Sequence, residues 1–409
     1  MNKKVLTENQ ISNQKGITLI ALVITIVILI ILATISINFV FNGGLIDRAE
    51  QAREYYQNDE AYTDESVSNL TGYIDGLING IEGGSGGSGT GEKPTTIDEA
   101  KGKGVLGEET VLADNAGNKV TVPGEFGVSA DSGSNVKDGV VIEDGEGNQY
   151  VWVPVTKDEN GENTTPYSET GTLADGTEIK LSRYIFDEEG VSTDRGEDYI
   201  NSNIEYGGSM TPVWVAYEEV EYLEEFKLSV AENGGYYIAR YKASYGTDGK
   251  ANSKISAQAN ESAGSLQEGT LWNFITQTDA MTASQNLYME TNSELINSYA
   301  WDTALLYIQK CSGNNQYSRA TAPSDTLANT GSGNDEICKI NDLSGNLGEW
   351  TTEDLQFPGT TPRNGVVCRG GRYDQPSYYT AFRGENNTSF EVFPTDTAPD
   401  MGFRVILYI

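Results

Sequence analysis

A long uncharged segment near the N-terminus places the strongest constraint on how this chain can fold. Residues 17–46 carry no charged side chain, and Ile17–Phe41 consists almost entirely of Ile, Leu, Val, Ala and Thr. At about 1.5 Å per residue in a helix, Ile17–Phe41 spans about 38 Å, which is enough to cross a bilayer. Hydropathy therefore indicates a membrane-spanning helix or signal anchor. A cleavable secretory signal is disfavoured, because the apolar region is too long and no Ala-x-Ala site follows it.

Composition excludes several classes of chemistry. Among the 409 residues, 27 Lys and Arg stand against 60 Asp and Glu, which gives a net charge of −33, and there is no histidine. Without imidazole the chain cannot use Ser-His-Asp or Cys-His catalysis, or a His-ligated metal. A surface this acidic repels nucleic-acid phosphates unless basic residues cluster, and the longest Lys/Arg run is the pair Lys3-Lys4. We therefore expect no nucleic-acid partner.

The start of the apolar segment carries a processing motif. A short polar leader ends in Gln14-Lys15-Gly16 and runs directly into Ile17-Thr18-Leu19-Ile20-Ala21-Leu22. This boundary resembles the class III signal of type IV prepilins. The resemblance implies that a prepilin peptidase cuts between Gly16 and Ile17 and methylates the new N-terminus. It also implies that the helix stays in the membrane before assembly and then packs against other pilins in a filament.

One position departs from the prepilin pattern. Most family members carry Glu at the fifth mature position, where it is thought to neutralise a neighbouring subunit's terminal amine, and this chain has Ala21. Loss of that carboxylate leaves a buried ammonium group without its partner. Two interpretations stay open: a subunit at the filament tip, where no subunit lies beyond it, or a lineage that tolerates Ala throughout.

Composition divides the rest of the chain into segments. Gly83–Gly91 is a Gly/Ser run typical of flexible linkers. Beyond it, Val120–Val122 and Val140–Ile142 are β-branched runs between turn residues, which predicts short strands. The predicted organisation is a leader at 1–16, a transmembrane and filament helix with an amphipathic continuation at 17–82, a linker at 83–96, a short β-rich module at 97–148 and a larger domain at 149–409.

Capping and periodicity signals predict the main elements of the larger domain. One helix is predicted over Ala280–Leu287 after a Thr278-Asp279 cap, and another begins after Asn297-Ser298 and ends at Cys311. Turns rather than calcium sites are predicted for two acidic loops, because neither shows the full calcium-loop pattern. The predicted strands cover 149–155, 234–241 and 402–409, and the acidic loops are 144–148 and 158–163.

Four motifs in this region occur in the order found in a known superfamily. They are Tyr150-Val151-Trp152-Val153-Pro154, the run NDLSGNLGEWT at 341–351, Cys368-Arg369-Gly370-Gly371 and Gly402-Phe403-Arg404. On these motifs, residues 149–409 resemble the formylglycine-generating enzyme, or sulfatase-modifying factor, superfamily, which has a C-type-lectin-like fold. The fold class implied is α+β: a long N-terminal pilin-type transmembrane helix, then a C-type-lectin-like domain with mixed, loop-rich β structure.

The catalytic residues of that superfamily are replaced. In its enzymes, two cysteines a few residues beyond Arg-Gly-Gly bind copper and perform the oxidation. The matching positions hold Gln375 and Thr380, neither of which can supply a thiolate. Cys368 precedes the motif and is predicted to pack in the core. Iron-dependent relatives need histidines, which this chain lacks, so we expect no enzyme activity.

The same stretch is rich in side chains that recognise ligands. Tyrosine gives a large contact area at low entropic cost, while Ser, Asn and Asp adapt their hydrogen bonds. The alternative is a Tyr-rich loop packed against its own domain. The candidate ligand-binding residues are Arg372, Tyr373, Asp374, Gln375, Ser377, Tyr378, Tyr379, Arg383 and Asn386.

The resemblance also implies a calcium site. Its ligands would be the carbonyls of Ser344, Gly345 and Leu347 and the carboxylate of Glu349, and oxygen donors of this kind suit a hard cation. The alternative is that Glu349 only hydrogen-bonds its own loop. The three cysteines of the chain allow at most one internal disulfide, so at least one thiol stays unpaired.

Together these features predict a surface-exposed pilin-like protein, held by one span in the cytoplasmic membrane and displayed at the cell surface or on a pilus. Its C-terminal domain would be a non-enzymatic, lectin-like head for adhesion, with an unidentified glycan or protein as ligand. The alternatives are a structural pilus subunit without a ligand and, disfavoured, an oxidase of the formylglycine-generating type.

Overall fold

The computed structural model of the chain describes residues 93–162, 171–198, 200–201, 215–246, 248–255, 258–260, 262–332, 335–356, 364–374, 379–383 and 397–409. All of them belong to one compact unit, Lys93–Ile409. The predicted leader with Gly16 and Ile17, the filament helix and most of the linker lie outside the described residues. Within the described ranges, no helix combines the length and the apolarity needed to cross a bilayer.

The described residues form short helices and many short strands. The α-helices are α1 (Ile97–Ala100), α2 (Leu223–Asn233), α3 (Gln277–Ser284) and α4 (Ser298–Ser312), and 3-10 turns cover Val136–Asp138, Ala263–Ser265 and Tyr317–Arg319. The strands are β1 (Thr110–Ala113), β2 (Lys119–Val122), β3 (Phe126–Val128), β4 (Val141–Asp144), β5 (Gln149–Pro154), β6 (Tyr184–Phe186), β7 (Ser192–Asp194), β8 (Ile200–Asn201), β9 (Val215–Tyr217), β10 (Gly235–Ala239), β11 (Ser244–Tyr245), β12 (Ala251–Asn252), β13 (Asn292–Leu295), β14 (Glu336–Ile337), β15 (Ile340–Asn341), β16 (Gly348–Gln356), β17 (Asn364–Arg369), β18 (Met401–Phe403) and β19 (Val405–Tyr408).

A six-stranded antiparallel sheet joins segments that the sequence analysis assigns to different domains. Its order is β13-β19-β10-β5-β4-β3. Strands β3 and β4 come from the predicted module at 97–148, and β4 pairs with β5, with Val141 opposite Val151. The predicted boundary after residue 148 is therefore wrong as a border between folding units. Short strands cannot bury a face alone, so these strands share the core of the larger domain.

The acidic loop between β4 and β5 is a turn, as predicted. One oxygen of Asp144 accepts hydrogen bonds from the backbone amides of Glu146 at 2.9 Å and Asn148 at 2.8 Å. The loop after Asp158 repeats this pattern with the amides of Asn160 and Glu162, each at 2.9 Å. Asp side chains that bind their own backbone in this way define turns.

The end of the predicted linker is also structured. Thr96 caps α1, accepting a hydrogen bond from the amide of Glu99 at 3.3 Å, and it forms a β-bridge with Ala113. The predicted linker boundary at residue 96 therefore lies a few residues too far along the chain.

A second sheet contains strands from three of the four sequence motifs. Its order is β17-β16-β9-β8, and β18 pairs with β16 in parallel. The predicted C-terminal strand over 402–409 divides into β18 and β19, which belong to different sheets. Arg404 lies between them, and its guanidinium group donates to the carbonyls of Ala239 at 2.8 Å and Asn341 at 2.9 Å. These buried hydrogen bonds turn the chain from one sheet to the other.

The helices differ in how well local signals predict them. Helix α4 agrees with its prediction: the side chain of Asn297 accepts a hydrogen bond from the amide of Ala300 at 2.8 Å, and the helix ends at the left-handed Gly313. Helix α3 begins earlier than predicted, because Thr276 is its cap. Helix α2 was not predicted.

Helix α2 has a weak but recognisable signal. Its buried residues include Leu223, Phe226 and Val230, at helical spacings of three and four, and it ends at Gly234 with φ of 76°. Helix α4 packs against β5 and β16, and the largest buried side chains of this region are Trp152, Trp301 and Trp350.

Candidate functional site

Three segments of the second half of the chain meet around the Arg-Gly-Gly motif. The amide of Gly345 donates to the carbonyl of Gly370 at 2.5 Å, and that of Tyr373 donates to the carbonyl of Asn346 at 2.9 Å. The loop that follows the 3-10 turn at Tyr317–Arg319 packs against Gly345. A Cβ atom added to Gly345 would lie 2.5 Å from Cα of Ala322 in this loop. Gly345 also has φ of 98°, so this close approach requires glycine.

An open cleft of about 550 Å³ lies where these segments meet. Tyr373 is half-buried in its wall, while Asp374, Ser324 and Asp325 are exposed. An aromatic ring beside two carboxylates and a hydroxyl can bind a ligand that presents both an apolar face and hydrogen-bond donors. The cleft is lined by Ala322, Pro323, Ser324, Asp325, Tyr373 and Asp374.

Two of the predicted ligand-binding residues, Tyr373 and Asp374, therefore line this cleft. The loop opposite them, residues 322–325, was missed by the sequence analysis. Its polar Pro323-Ser324-Asp325 run indicates an exposed turn. Gln375, Ser377, Tyr378 and Asn386 lie outside the described residues.

Arg372, another of the predicted ligand-binding residues, is buried. Its residue surface is only 6% exposed. One guanidinium nitrogen forms an ion pair with Asp400, and Nε lies 3.4 Å from a carboxylate oxygen of Asp374. Ligand contact by Arg372 stays a prediction, and in this structure the guanidinium group is paired with carboxylates of its own domain. The positive charge of this group holds Asp374 at the edge of the cleft.

Tyr379 follows the alternative of a tyrosine packed against its own domain. The guanidinium carbon of Arg319 lies 3.6 Å from the centre of its ring, and the ring of Phe382 packs edge-on at 5.4 Å. Only 8% of Tyr379 is exposed. Its neighbour Thr380 is buried, and the hydroxyl donates to the carbonyl of Ala320 at 3.0 Å. Ligand binding by Tyr379 stays a prediction, and in this structure the ring is packed against Arg319 and Phe382.

Arg383 belongs to a buried ionic cluster. Its Nε lies 2.8 Å from Glu353, and Nη2 contacts Asp302. Arg369 bridges the same carboxylates, at 2.5 Å from Asp302 and 3.3 Å from Glu353, and Arg183 lies 2.5 Å from Glu353. All five side chains are 0–1% exposed. Ligand contact by Arg383 stays a prediction, and in this structure its guanidinium group is enclosed by the cluster.

The environment of Glu349 does not fit the implied calcium site. Arg404 donates to its two oxygens from Nε at 3.0 Å and from Nη2 at 2.9 Å, and the ammonium of Lys242 is in contact with it. Burial raises the pKa of Glu349, but Arg404 and Lys242 outweigh burial and lower it. The positive charges of Arg404 and Lys242 repel a further cation at this carboxylate.

The other proposed calcium ligands are part of the packed loop. The amide of Ser344 donates to Asp335 at 2.7 Å, Gly345 bonds to Gly370 as described, and Leu347 is buried beside Leu271. Within the described ranges, no group of three or more Cys, Asp or Glu side chains could hold a metal ion. The carboxylate of Glu349 instead pairs with Arg404 and Lys242 in the protein core.

Cys311 and Cys338 are thiols in environments that disfavour the thiolate form. Burial raises the pKa of Cys311 to about 12 and that of Cys338 to about 11. Cys368 is buried in β17 and packs in the core, as predicted. Thr380 stands at one position that the resemblance matches to a superfamily cysteine, and Gln375, at the other, lies outside the described residues.

Comparison with known proteins finds one family similarity, over the part of the chain that contains this cleft. Residues 279–409 match the sequence profile of the sulfatase-modifying factor enzyme 1-like domain. A solved structure, described as "Crystal Structure of CarF", is 16% identical, with a TM-score of 0.30, over 43% of this chain and 87% of that chain. Similarity this low supports no assignment. No curated protein matches the chain.

The matched range begins later than the predicted boundary at residue 149. Strands β5 and β10, which precede it, nevertheless lie in the same sheet as β13 and β19, which belong to it. Extension of the domain back to residue 149 stays a prediction. Residues 279–409 of this chain are similar to the sulfatase-modifying factor enzyme 1-like domain.

Proposed function

We propose that this chain is a surface-displayed, pilin-like protein whose residues 93–409 form a non-enzymatic binding head for a carbohydrate. The observation that carries the proposal is the cleft of about 550 Å³ at the end of the Arg-Gly-Gly motif. It presents Tyr373 and Asp374 opposite Ser324 and Asp325.

The cleft chemistry favours a sugar over an anionic ligand. A sugar ring can pack its C–H face against Tyr373 while its hydroxyl groups donate to the carboxylates of Asp374 and Asp325. The same carboxylates repel phosphate and sulfate groups. Arg372 and Asp400 hold this side of the cleft in place before a ligand arrives, which lowers the entropic cost of binding.

A binding role is also favoured over oxidation. Copper chemistry of the superfamily type needs thiolates, and the chain has Gln375 and Thr380 at the matching positions. Display at the cell surface rests on the sequence alone, through the Gly16-Ile17 boundary and the apolar segment that follows. Other pilins and a prepilin peptidase are the partners that this display would require.

A glycan array probed with the purified full chain tests the proposal. We expect binding to a defined set of glycans, and we expect Tyr373→Ala and Asp374→Asn each to weaken it by at least about tenfold, since central contacts dominate binding energy. Glu232→Gln, an exposed change on α2, is the matched control. Absence of glycan binding, or wild-type binding by Tyr373→Ala, would overturn the proposal. Copper uptake by the same protein would favour the oxidase.

A further inference from the structure

A separate cavity of about 400 Å³ lies where β9 ends and α2 and α4 begin. It shares no lining residue with the carbohydrate cleft. Its walls combine aromatic, aliphatic and charged side chains, among them Tyr217, Glu218, Val220, Leu223, Lys227 and Tyr299.

Glu218 provides an acceptor in this cavity that the described protein leaves unused. Its Oε2 accepts a hydrogen bond from the amide of Ser298, the first residue of α4, at 2.8 Å. Its Oε1 is shielded from solvent and makes no hydrogen bond with the described residues. The side-chain hydroxyl of Ser298 acts on the same carboxyl group and opposes the effect of burial on its pKa. A buried acceptor without a donor is costly, so native structures usually satisfy such groups. Burial also raises the pKa of Glu218 to about 7.

Carboxylates outnumber cations around this cavity. Its lining contains Glu197, Glu218, Glu219 and Glu224 against Lys227 and Arg183. The charge of Arg183 is already matched inside the protein by Glu353. The cavity therefore attracts positive charge.

Lys227 places an ammonium group among the carboxylates at the edge of this cavity. Its ammonium lies 3.0 Å from Glu159, 3.1 Å from Glu224 and 3.4 Å from Glu197. It also lies 4.6 Å from the centre of the Tyr299 ring. An ammonium group is thus stabilised by carboxylates and an aromatic face at the edge of the same cavity.

We propose that this cavity binds a primary alkylammonium group, from a lysine side chain of a partner or from a free polyamine. The ammonium donates to Oε1 of Glu218, and the alkyl stem lies against Val220 and Leu223. The proposal does not depend on the carbohydrate cleft.

Isothermal titration calorimetry on the full chain tests the proposal with Nα-acetyl-lysine amide, cadaverine and Nα,Nε-diacetyl-lysine amide. We expect both amines to bind and the diacetylated compound to bind at least about tenfold more weakly, because hydrogen bonds to charged groups are strong. Tighter binding of the lysine compound supports a peptide source, and tighter binding of cadaverine supports a polyamine.

Variants connect this binding to the cavity. Glu218→Gln should weaken amine binding by about tenfold or more. Glu294→Gln is the matched control, because burial also raises the pKa of Glu294 to about 7, and Glu294 lies outside the cavity. Thermal unfolding of each variant checks that it is folded. No amine binding by the wild type, equal binding of the diacetylated compound, or equal effects of the two variants would each overturn the proposal.

Discussion

Buried ion pairs determine the roles of several side chains that look like surface contacts in the sequence. Arg383 stands close in the chain to the tyrosine-rich stretch, yet it shares Glu353 and Asp302 with Arg369, and Glu353 also pairs with Arg183. Three guanidinium groups and two carboxylates leave an excess of one positive charge in this cluster. Loss of either carboxylate would therefore leave buried cations uncompensated.

Acid should destabilise the protein through Glu353. Burial raises the pKa of Glu353, but Arg383, Arg183 and Arg369 outweigh burial and hold it at about 2, against an ordinary value of 4.5. Between these values the unfolded chain binds a proton and the folded chain does not, so protonation favours unfolding. We expect the free energy of unfolding to fall as the pH drops from about 4.5 towards about 2, as measured by urea denaturation at a series of pH values.

Glu353→Gln isolates this effect. At neutral pH we expect it to lower the free energy of unfolding by about 3–5 kcal/mol, because it leaves the buried arginines with Asp302 alone. The remaining dependence on acid should be weaker than in the wild type. Glu232→Gln, on the exposed side of α2, should change neither quantity. Wild-type stability of Glu353→Gln would show that the cluster is not a stabilising unit.

Local signals predict individual elements best where both ends are marked. Helix α4 has an Asn cap and a terminal glycine, and the sequence locates it correctly. Helix α2 is marked only at its C-terminal end, by a glycine. Its N-terminal end carries no capping signal, since the side chain of Tyr222 at the N-cap makes no capping hydrogen bond. The chain passes from one sheet to the other at Arg404, whose guanidinium group pairs with the buried carboxylate of Glu349. Because Glu349 is distant in the sequence, local propensity does not predict this change of sheet.

At the level of the loop elements, Gly345→Ala tests how the cleft is assembled. The added methyl group would meet the backbone of Ala322 at 2.5 Å in a conformation that alanine rarely adopts. We expect a loss of about 2 kcal/mol in the free energy of unfolding and weaker glycan binding. Gly264→Ala is the control, since nothing lies within 4 Å of its added methyl group. Equal effects of the two substitutions in thermal unfolding and glycan binding would contradict this role of Gly345.

At the scale of the whole molecule, the described residues form one folding unit where composition indicates two. The sequence places a boundary after residue 148, but a six-stranded sheet crosses it. Turn-rich composition correctly indicates short strands in this region. It does not indicate which strands pair, because pairing depends on contacts between distant segments.

The N-terminal part of the chain makes its own prediction at this scale. If the prepilin resemblance holds, the mature chain begins at Ile17 with a methylated amine, and Gly16→Leu leaves the leader attached. Mass spectrometry of the N-terminal peptide, from cells with and without a prepilin peptidase, measures the cleavage site and the methylation in the wild type and the retained leader in Gly16→Leu. A mature chain that retains Met1 in the presence of the peptidase would argue against a pilin-like protein.

The sequence by itself determined which side chains are available for chemistry and which elements are marked by local signals. The missing histidines, Thr380 and Gln375 depend only on residue identity, and the cap of α4 depends only on neighbouring residues. Tertiary structure alone decided that Arg372, Tyr379 and Arg383 are enclosed while Tyr373 and Asp374 face a cleft. It also paired Glu349 with Lys242 and Arg404. The physical reason is that burial and ion pairing depend on which distant segments pack together, which neither residue type nor local spacing specifies.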